Sequence, residues 1–213
     1  MNTKFSNEAT PVKLYRTPKS GHCHRAELMM SFLDIPYEPV DLDMAAGAHK
    51  TPQFLKHSPF GQVPVIDDNG VVLSDSNAIL VYLVSKYGND YDWMPADPVA
   101  AAEVQRWLSI AAGQIASGPC AARLCTVFNA DLDWENAKAI ANSLFEVMEG
   151  ELSGKSFLTG SSINIADVAG YSYIAHAPEG GVSLEPYPAI RDWLKRVESH
   201  PGFVPMVASA HVV

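Results

Sequence analysis

The sequence predicts an α/β domain of order βαβαββα followed by an all-α helical bundle. Three features predict it: short apolar runs bounded by turn residues up to Gly88, a hairpin signal at Asp67-Asp-Asn-Gly70, and helical periodicity throughout the chain after Pro98. The 213 residues are 47% hydrophobic and 18% charged, which suits a packed core rather than a disordered chain. The units are expected at 10–88 and 98–213, joined by a linker at Gly88–Pro98 that holds two prolines and three aspartates.

Each element has a local reason. Residues 1–9 read as a polar, loosely held tail. Val12-Lys-Leu-Tyr-Arg16 is short and apolar enough for a buried strand, and Ser20–Leu33 places Ala26, Met29, Met30 and Leu33 at helical spacing. Pro36–Val40 reads as a second strand. Thr51 as N-cap and Pro52 as first residue open a short helix through His57. Val63–Ile66 and Val71–Leu73 flank the Asp-Asn-Gly turn as a hairpin. Ser74 or Asp75 then starts a helix with Ile79, Leu80, Leu83 and Tyr87 on one face. A βαβ start makes the first two strands parallel, and the hairpin adds an antiparallel pair. This mixed four-stranded sheet with flanking helices is a thioredoxin-like arrangement. In the second half, Val104, Trp107, Leu108, Ala111 and Ile115 share a stripe, as do Ala137, Ile140, Ala141, Leu144 and Met148, and then Ile190, Trp193, Leu194 and Val197.

Charge and cysteine usage exclude several function classes. The net charge of −9 divides into −2 over residues 1–90 and −7 over residues 91–213. An acidic chain repels phosphate backbones, so no nucleic-acid partner is expected, although a few basic groups can still hold one small anion. Cys23, Cys120 and Cys125 are odd in number and lack zinc-like spacing, which fits a reducing compartment. The start lacks the apolar core of a signal peptide, and no apolar run reaches the roughly 18 residues of a membrane span. The expected location is cytoplasmic, with no membrane partner.

The most specific stretch is Ser58-Pro-Phe-Gly-Gln-Val-Pro-Val-Ile66, with Asp75-Ser76 following it. A cis Val63–Pro64 bond would turn the N–H and C=O of Val63 toward a cleft, where an extended peptide pairs as an added strand. Asp75-Ser76 lies at a helix N-terminus, where free N–H groups and the dipole favour a carboxylate. Ser76 donates to that carboxylate and Asp75 accepts from an ammonium, which suits the α-amino-acid end of a γ-glutamyl group. Helix capping alone would account for Asp75-Ser76, but not for its coincidence with Val63-Pro64.

The string His49-Lys-Thr-Pro-Gln-Phe-Leu…Ser58-Pro-Phe-Gly-Gln-Val-Pro…Ser74-Asp-Ser-Asn-Ala-Ile resembles the glutathione site of cytosolic glutathione transferases, phi-like and related bacterial members above all. The likeness runs from about Lys13 to Leu83, and continues weakly into the helical half. There Phe157-Leu-Thr-Gly…Asn164-Ile-Ala-Asp167 resembles the family's N-capping box, so Asp167 reads as structural. The resemblance implies glutathione as co-substrate and no metal. It places His49, Lys50 and Gln62 at the glycyl carboxylate, Val63 with Pro64 at the cysteinyl backbone, and Asp75 with Ser76 at the γ-glutamyl end. It also implies a homodimer, with Phe60 as an aromatic key in the partner subunit. A small hydrophobic electrophile would bind against the first long helices of the second half, with Trp107, Ile110, Gln114, Ser117, Arg123 and Phe128 as candidates.

A free thiol has a pKa of about 8.5, so little of it is the nucleophilic thiolate at neutral pH. Four residues of Tyr15–Arg25 compete to stabilise that thiolate: Ser20, His22, Cys23 and Tyr15. By the resemblance, Ser20 falls where theta- and zeta-like members carry a catalytic serine, and His22 where zeta-like and beta-like members carry a cysteine. Ser20 is therefore expected as hydroxyl donor, with His22 as a second donor or proton relay. Cys23 would be the redox alternative, and Tyr15 belongs to the first strand. His22, Cys23 and His24 make a poor metal set, since residues two apart face opposite sides of a helix. Arg25 is expected to pair with a carboxylate of the other domain. The leading expectation is conjugation. The rivals are an isomerase or a disulfide or peroxide reductase on the same fold, and a non-catalytic glutathione-binding protein.

Overall fold

The computed structural model describes residues 10–88 and 93–209. It begins with β1 (Val12–Arg16), α1 (Gly21–Phe32), β2 (Tyr37–Asp41), β3 (Val65–Asp68), β4 (Val71–Ser74) and α2 (Ser76–Tyr87). The sheet order is β2-β1-β3-β4, with β1 parallel to β2 and antiparallel to β3. This is the expected thioredoxin-like sheet. The β3–β4 loop is the two residues Asn69 and Gly70, both at positive φ (54° and 90°), as a twisted hairpin requires.

One expected element differs. Pro52–His57 forms only a 3₁₀ turn at Phe54–Lys56, preceded by another at Ala48–Lys50. Thr51 Oγ1 does accept from the Phe54 amide, but this cap closes a single turn around one buried side chain, Phe54. Too little apolar surface follows to propagate an α-helix.

The helical half comprises α3 (Pro98–Ala112), α4 (Ala121–Phe128), α5 (Trp134–Leu152), α6 (Ile165–Ala175) and α7 (Pro188–Glu198). Asp97 caps α3 by accepting from Val99 and Ala100. A π-helical turn at Ala116–Cys120, with Pro119 inside it, links α3 to α4 and redirects the chain. The three predicted stripes face inward, apart from Ile140, which is half-buried. Helix α6 is buried from Ile165 to Ile174 and forms the axis on which α1, α2 and α3 pack. Its N-terminus is the expected capping box: Asn164 Oδ1 accepts from Ala166, and Asp167 Oδ2 from the Asn164 amide. Asp167 Oδ1 also accepts from Leu158 N and Trp193 Nε1, so its role is structural. Within the expected linker, residues 89–92 lie outside the described residues, while Trp93 is 4% exposed and stacks on Phe32. Trp93 thus belongs to the core. Among the described residues, no helix is long and apolar enough to cross a membrane.

Candidate functional site

A cavity of about 700 Å³ lies between the sheet domain and the start of the helical half. Its polar wall is built where the N-termini of α1 and α2 converge. Ser20 caps α1, its hydroxyl accepting from Cys23 N at 3.3 Å, and Asp75 caps α2, its carboxylate accepting from Ala78 N at 2.9 Å. Asp75 is held at φ 78°, an uncommon conformation for a residue with a side chain. Gly21 is required beside Ser20: a Cβ there would lie 2.8 Å from the Tyr173 ring, so only glycine lets α6 approach the start of α1.

Ser20, His22, His49, Gln62, Val63, Pro64, Asp75 and Ser76 all line this cavity. Lys50 does not: its ammonium donates to the Phe60 carbonyl at 3.0 Å and braces the loop from outside. His49 Nδ1 is buried with no hydrogen-bond partner among the described residues. The Val63–Pro64 bond is cis, and Val63 lies outside the β1–β3 register, which ends at Tyr15 and Val65.

His22 sits in a tight cluster. Its Nδ1 is 3.0 Å from Arg25 Nη1 and 3.3 Å from Ser76 Oγ, and its ring meets Tyr173 edge-on with centroids 5.0 Å apart. Burial, reinforced by the Arg25 charge, holds the imidazole down to about 3, so His22 is neutral at working pH. Arg25 corrects an expectation. Among the described residues it pairs with no carboxylate, but donates to Ser76 Oγ at 3.2 Å and lies over the Tyr173 ring. The structure also argues against Cys23 as a redox group. It is fully buried in α1, absent from the cavity wall, and burial pushes its thiol up to about 11. Tyr15 is half-buried against Phe54 and His57.

Of the residues expected at the second substrate's pocket, Arg123 and Phe128 reach the cavity, beside Leu124, Cys120 and Met44. Trp107 is core at 2% exposure, Ser117 faces outward, and Ile110 with Gln114 lines a separate groove. Trp107 and Ile110 lie on α3 and Gln114 and Ser117 just after it, and α3, packed on α6 through its buried stripe, contributes no residue to the cavity wall.

No local pattern reveals what Arg123 does. Its guanidinium, 1% exposed, donates to Glu179 Oε2 at 2.7 Å, to the Lys19 carbonyl at 2.8 Å and to Ser209 Oγ at 3.4 Å. Glu179 also accepts from His176 and from Ser209 N. One buried ion pair therefore ties α4, the C-terminal segment and the peptide before Ser20 together. The partners are 56, 86 and 104 residues away in sequence, and no local pattern connects them. Among the described residues no group of side chains could hold a metal ion.

The thioredoxin-like sheet and the helical half thus enclose a donor-lined cavity at two helix N-termini, an arrangement suited to a small anion. Residues 10–85 match the family described as Glutathione S-transferase, N-terminal domain, and residues 128–201 its C-terminal domain. Glutathione S-transferase 2 of Anopheles gambiae is 32% identical over 93% of this chain and 96% of its own length. Glutathione S-transferase 3 of Zea mays is 29% identical, over 93% and 94% respectively. The crystal structure of a glutathione S-transferase from Pseudomonas fluorescens superposes with a TM-score of 0.86 at 32% identity, over 93% of this chain and all of that one. The chain belongs to the glutathione S-transferase family, and it is an enzyme of the glutathione transferase class.

Proposed function

We propose that the protein conjugates glutathione to a small apolar electrophile, with Ser20 holding the thiolate by its hydroxyl and His22 giving a second donor. The reading rests on one observation: Ser20 and Ser76, at the starts of two helices, line one cavity. Two helix N-termini there favour negative charge, one at the thiolate and one at the γ-glutamyl carboxylate. Asp75 would take the ammonium, Val63 with Pro64 the cysteinyl backbone, and His49 with Gln62 the glycyl end. Lys50 acts there only through the loop it braces. The thiolate forms a carbon–sulfur bond as the leaving group departs with its electron pair. Preorganised donors at the sulfur are the main catalytic device. Met44, Leu124 and Phe128 give the facing wall an apolar character suited to the electrophile.

We also read the active form as a homodimer. Phe60 is 81% exposed, and an apolar groove lined by Ile110, Ile140, Leu144 and Val147 is of a size to receive an aromatic side chain. The free cysteines Cys23, Cys120 and Cys125 suit a reducing compartment, and we place the protein in the cytoplasm.

The test is ultraviolet titration of thiolate in bound glutathione, for the native protein and Ser20→Ala. The expected result is thiolate well below the free-thiol range, shifted upward by about 1–2 pH units in the variant, as for one lost hydrogen bond to a charged acceptor. Glutathione bound with an unshifted thiol would sink the conjugation reading; an equal shift in both proteins would sink only the role of Ser20.

A further inference from the structure

His22 and Ser76 each carry an ambiguous group. An imidazole bears its proton on either nitrogen, and a hydroxyl points its proton in many directions. Which way each is set decides whether the cavity offers a donor or a lone pair to an anion. Arg25 touches both. One nitrogen, Nη1, lies 3.0 Å from His22 Nδ1 and 3.2 Å from Ser76 Oγ, and its two hydrogens serve the two contacts. A guanidinium has no lone pair to accept with. His22 Nδ1 must therefore be the accepting nitrogen, and the single proton of the neutral ring falls on Nε2. That lone pair is occupied by Arg25, so the Ser76 hydroxyl keeps its own proton for the cavity.

We infer that Arg25 is a positioning residue: buried behind the wall, it fixes His22 as the Nε2–H tautomer and Ser76 as an accepting partner, so that both present hydrogens to the bound anion. The surroundings support this. Arg25 is 1% exposed, its Nε and Nη2 have no partner, and it forms no ion pair among the described residues. Such a cation is costly to bury unless something nearby uses it. The Tyr173 ring covers its face, and the Tyr173 hydroxyl accepts from the His22 amide at 3.3 Å, which fixes the backbone that carries the imidazole. The other titratable groups around the cluster are Asp75 on α2 and Cys120 on the π-turn, beside Tyr173 on α6. None of the three offers His22 a competing acidic partner at hydrogen-bond distance. The imidazole is thereby kept as a donor that does not change with pH across the neutral range. This differs from a general base, and it rests on reading the cavity as the thiolate's site.

The tautomer is measurable without any ligand. In protein labelled with ¹⁵N-histidine, two-bond proton–nitrogen correlations distinguish Nε2–H from Nδ1–H rings, and His22→Gln identifies the signal. The expected spectrum has His22 as Nε2–H, unchanged between pH 8 and pH 5. A Nδ1–H ring, or an exchanging mixture, would overturn the inference whatever the fate of Ser20. Arg25→Met should release the ring into a mixture and lower kcat/KM roughly tenfold or more, as for a lost hydrogen bond to a charged acceptor. Arg25→Lys, still a pure donor, should keep the tautomer and most of the activity. If Arg25→Met does not fold, the native and Arg25→Lys spectra still decide: a mixed ring in either refutes the assignment.

Discussion

Replacing Arg123 by methionine separates stability from positioning. The substitution keeps much of the apolar stem but removes three hydrogen bonds: to Glu179, to the Lys19 carbonyl and to Ser209. Glu179, with a side chain 7% exposed, would keep only His176 and the Ser209 amide. Breaking a buried ion pair from one side costs about 3–5 kcal/mol, and an orphaned carbonyl about 1–3 more. Methionine packing offsets part of this, leaving about 4 kcal/mol. For a chain of this length each kcal/mol shifts Tm by roughly 2–4 °C, so the melting temperature should fall by about 10 °C. The double variant Arg123→Met with Glu179→Met replaces both charges by apolar groups, which is often near neutral. It should recover more than half of the lost stability. It cannot restore the anchor on the Lys19 carbonyl, one peptide before Ser20, so kcat/KM for a model electrophile should stay low in both variants. A calorimetric Tm within about 2 °C of native in the single variant would refute the energetics. Recovery of activity together with Tm in the double variant would refute the positioning role.

Three further outcomes follow from the same packing. His24 is held between Ser172 Oγ and the Val204 carbonyl and kept neutral by burial, down to about 4. Its unfolded pKa is near 6.5, so the unfolded chain binds its proton first; this contribution is intact above pH 6.5 and lost as pH falls toward 4, by about 3 kcal/mol. His22 acts in the same sense, whereas Asp167, raised by burial to about 6, gains its proton in the folded state first and offsets roughly a third of the combined loss. Urea midpoints should therefore fall between pH 7.5 and pH 4.5, and fall less in His24→Gln; equal slopes would contradict this balance. Gly21→Ala should cost about 1–3 kcal/mol because its Cβ meets the Tyr173 ring, and adding Tyr173→Leu should recover part of it in chemical denaturation. Phe60→Ser should shift the sedimentation coefficient toward the monomer with little change in monomer stability, since the side chain is exposed; an unchanged coefficient would remove Phe60 as the key.

What could be read from the sequence was what depends on near neighbours. The hairpin was legible because Asn69-Gly70 suits positive φ, and the helical stripes because burial repeats every three to four residues. Val63 with Pro64 and Asp75 with Ser76 were legible as local motifs, Ser20 only through the family resemblance, and all five line one cavity. Arg25 and Arg123 were not, since their roles depend on Ser76 and Tyr173, or on Lys19 and Glu179, brought together by the packing of two domains. Periodicity likewise placed Trp107, Ile110 and Gln114 on α3 or just after it, but not relative to the cavity. The π-turn at Ala116–Cys120 decides that, turning Arg123, Leu124 and Phe128 toward the cavity and leaving Ile110 in an outer groove.

The sign of charge at the cavity resolves an apparent conflict in the chain. The protein carries a net charge of −9, yet the family's co-substrate is an anionic tripeptide. Surface charges beyond about 8–10 Å are screened at physiological salt, so the local groups decide. Those groups are two helix N-termini and Lys19 in the wall, with Arg25 buried behind it, while the charge of Arg123 is offset by its partner Glu179. Asp75 is the one acid in that wall, and one of its oxygens already accepts from Ala78 N. On the proposed reading its other oxygen takes the ammonium, and the wall opposes each charge of a γ-glutamyl terminus with one of opposite sign. A site of this polarity should discriminate against glutathione analogues in which the α-amino group is acylated more strongly than against those altered at the glycyl end. Competition binding with the two analogues would show it, and a preference in the opposite order would mean that Asp75 serves only to cap α2.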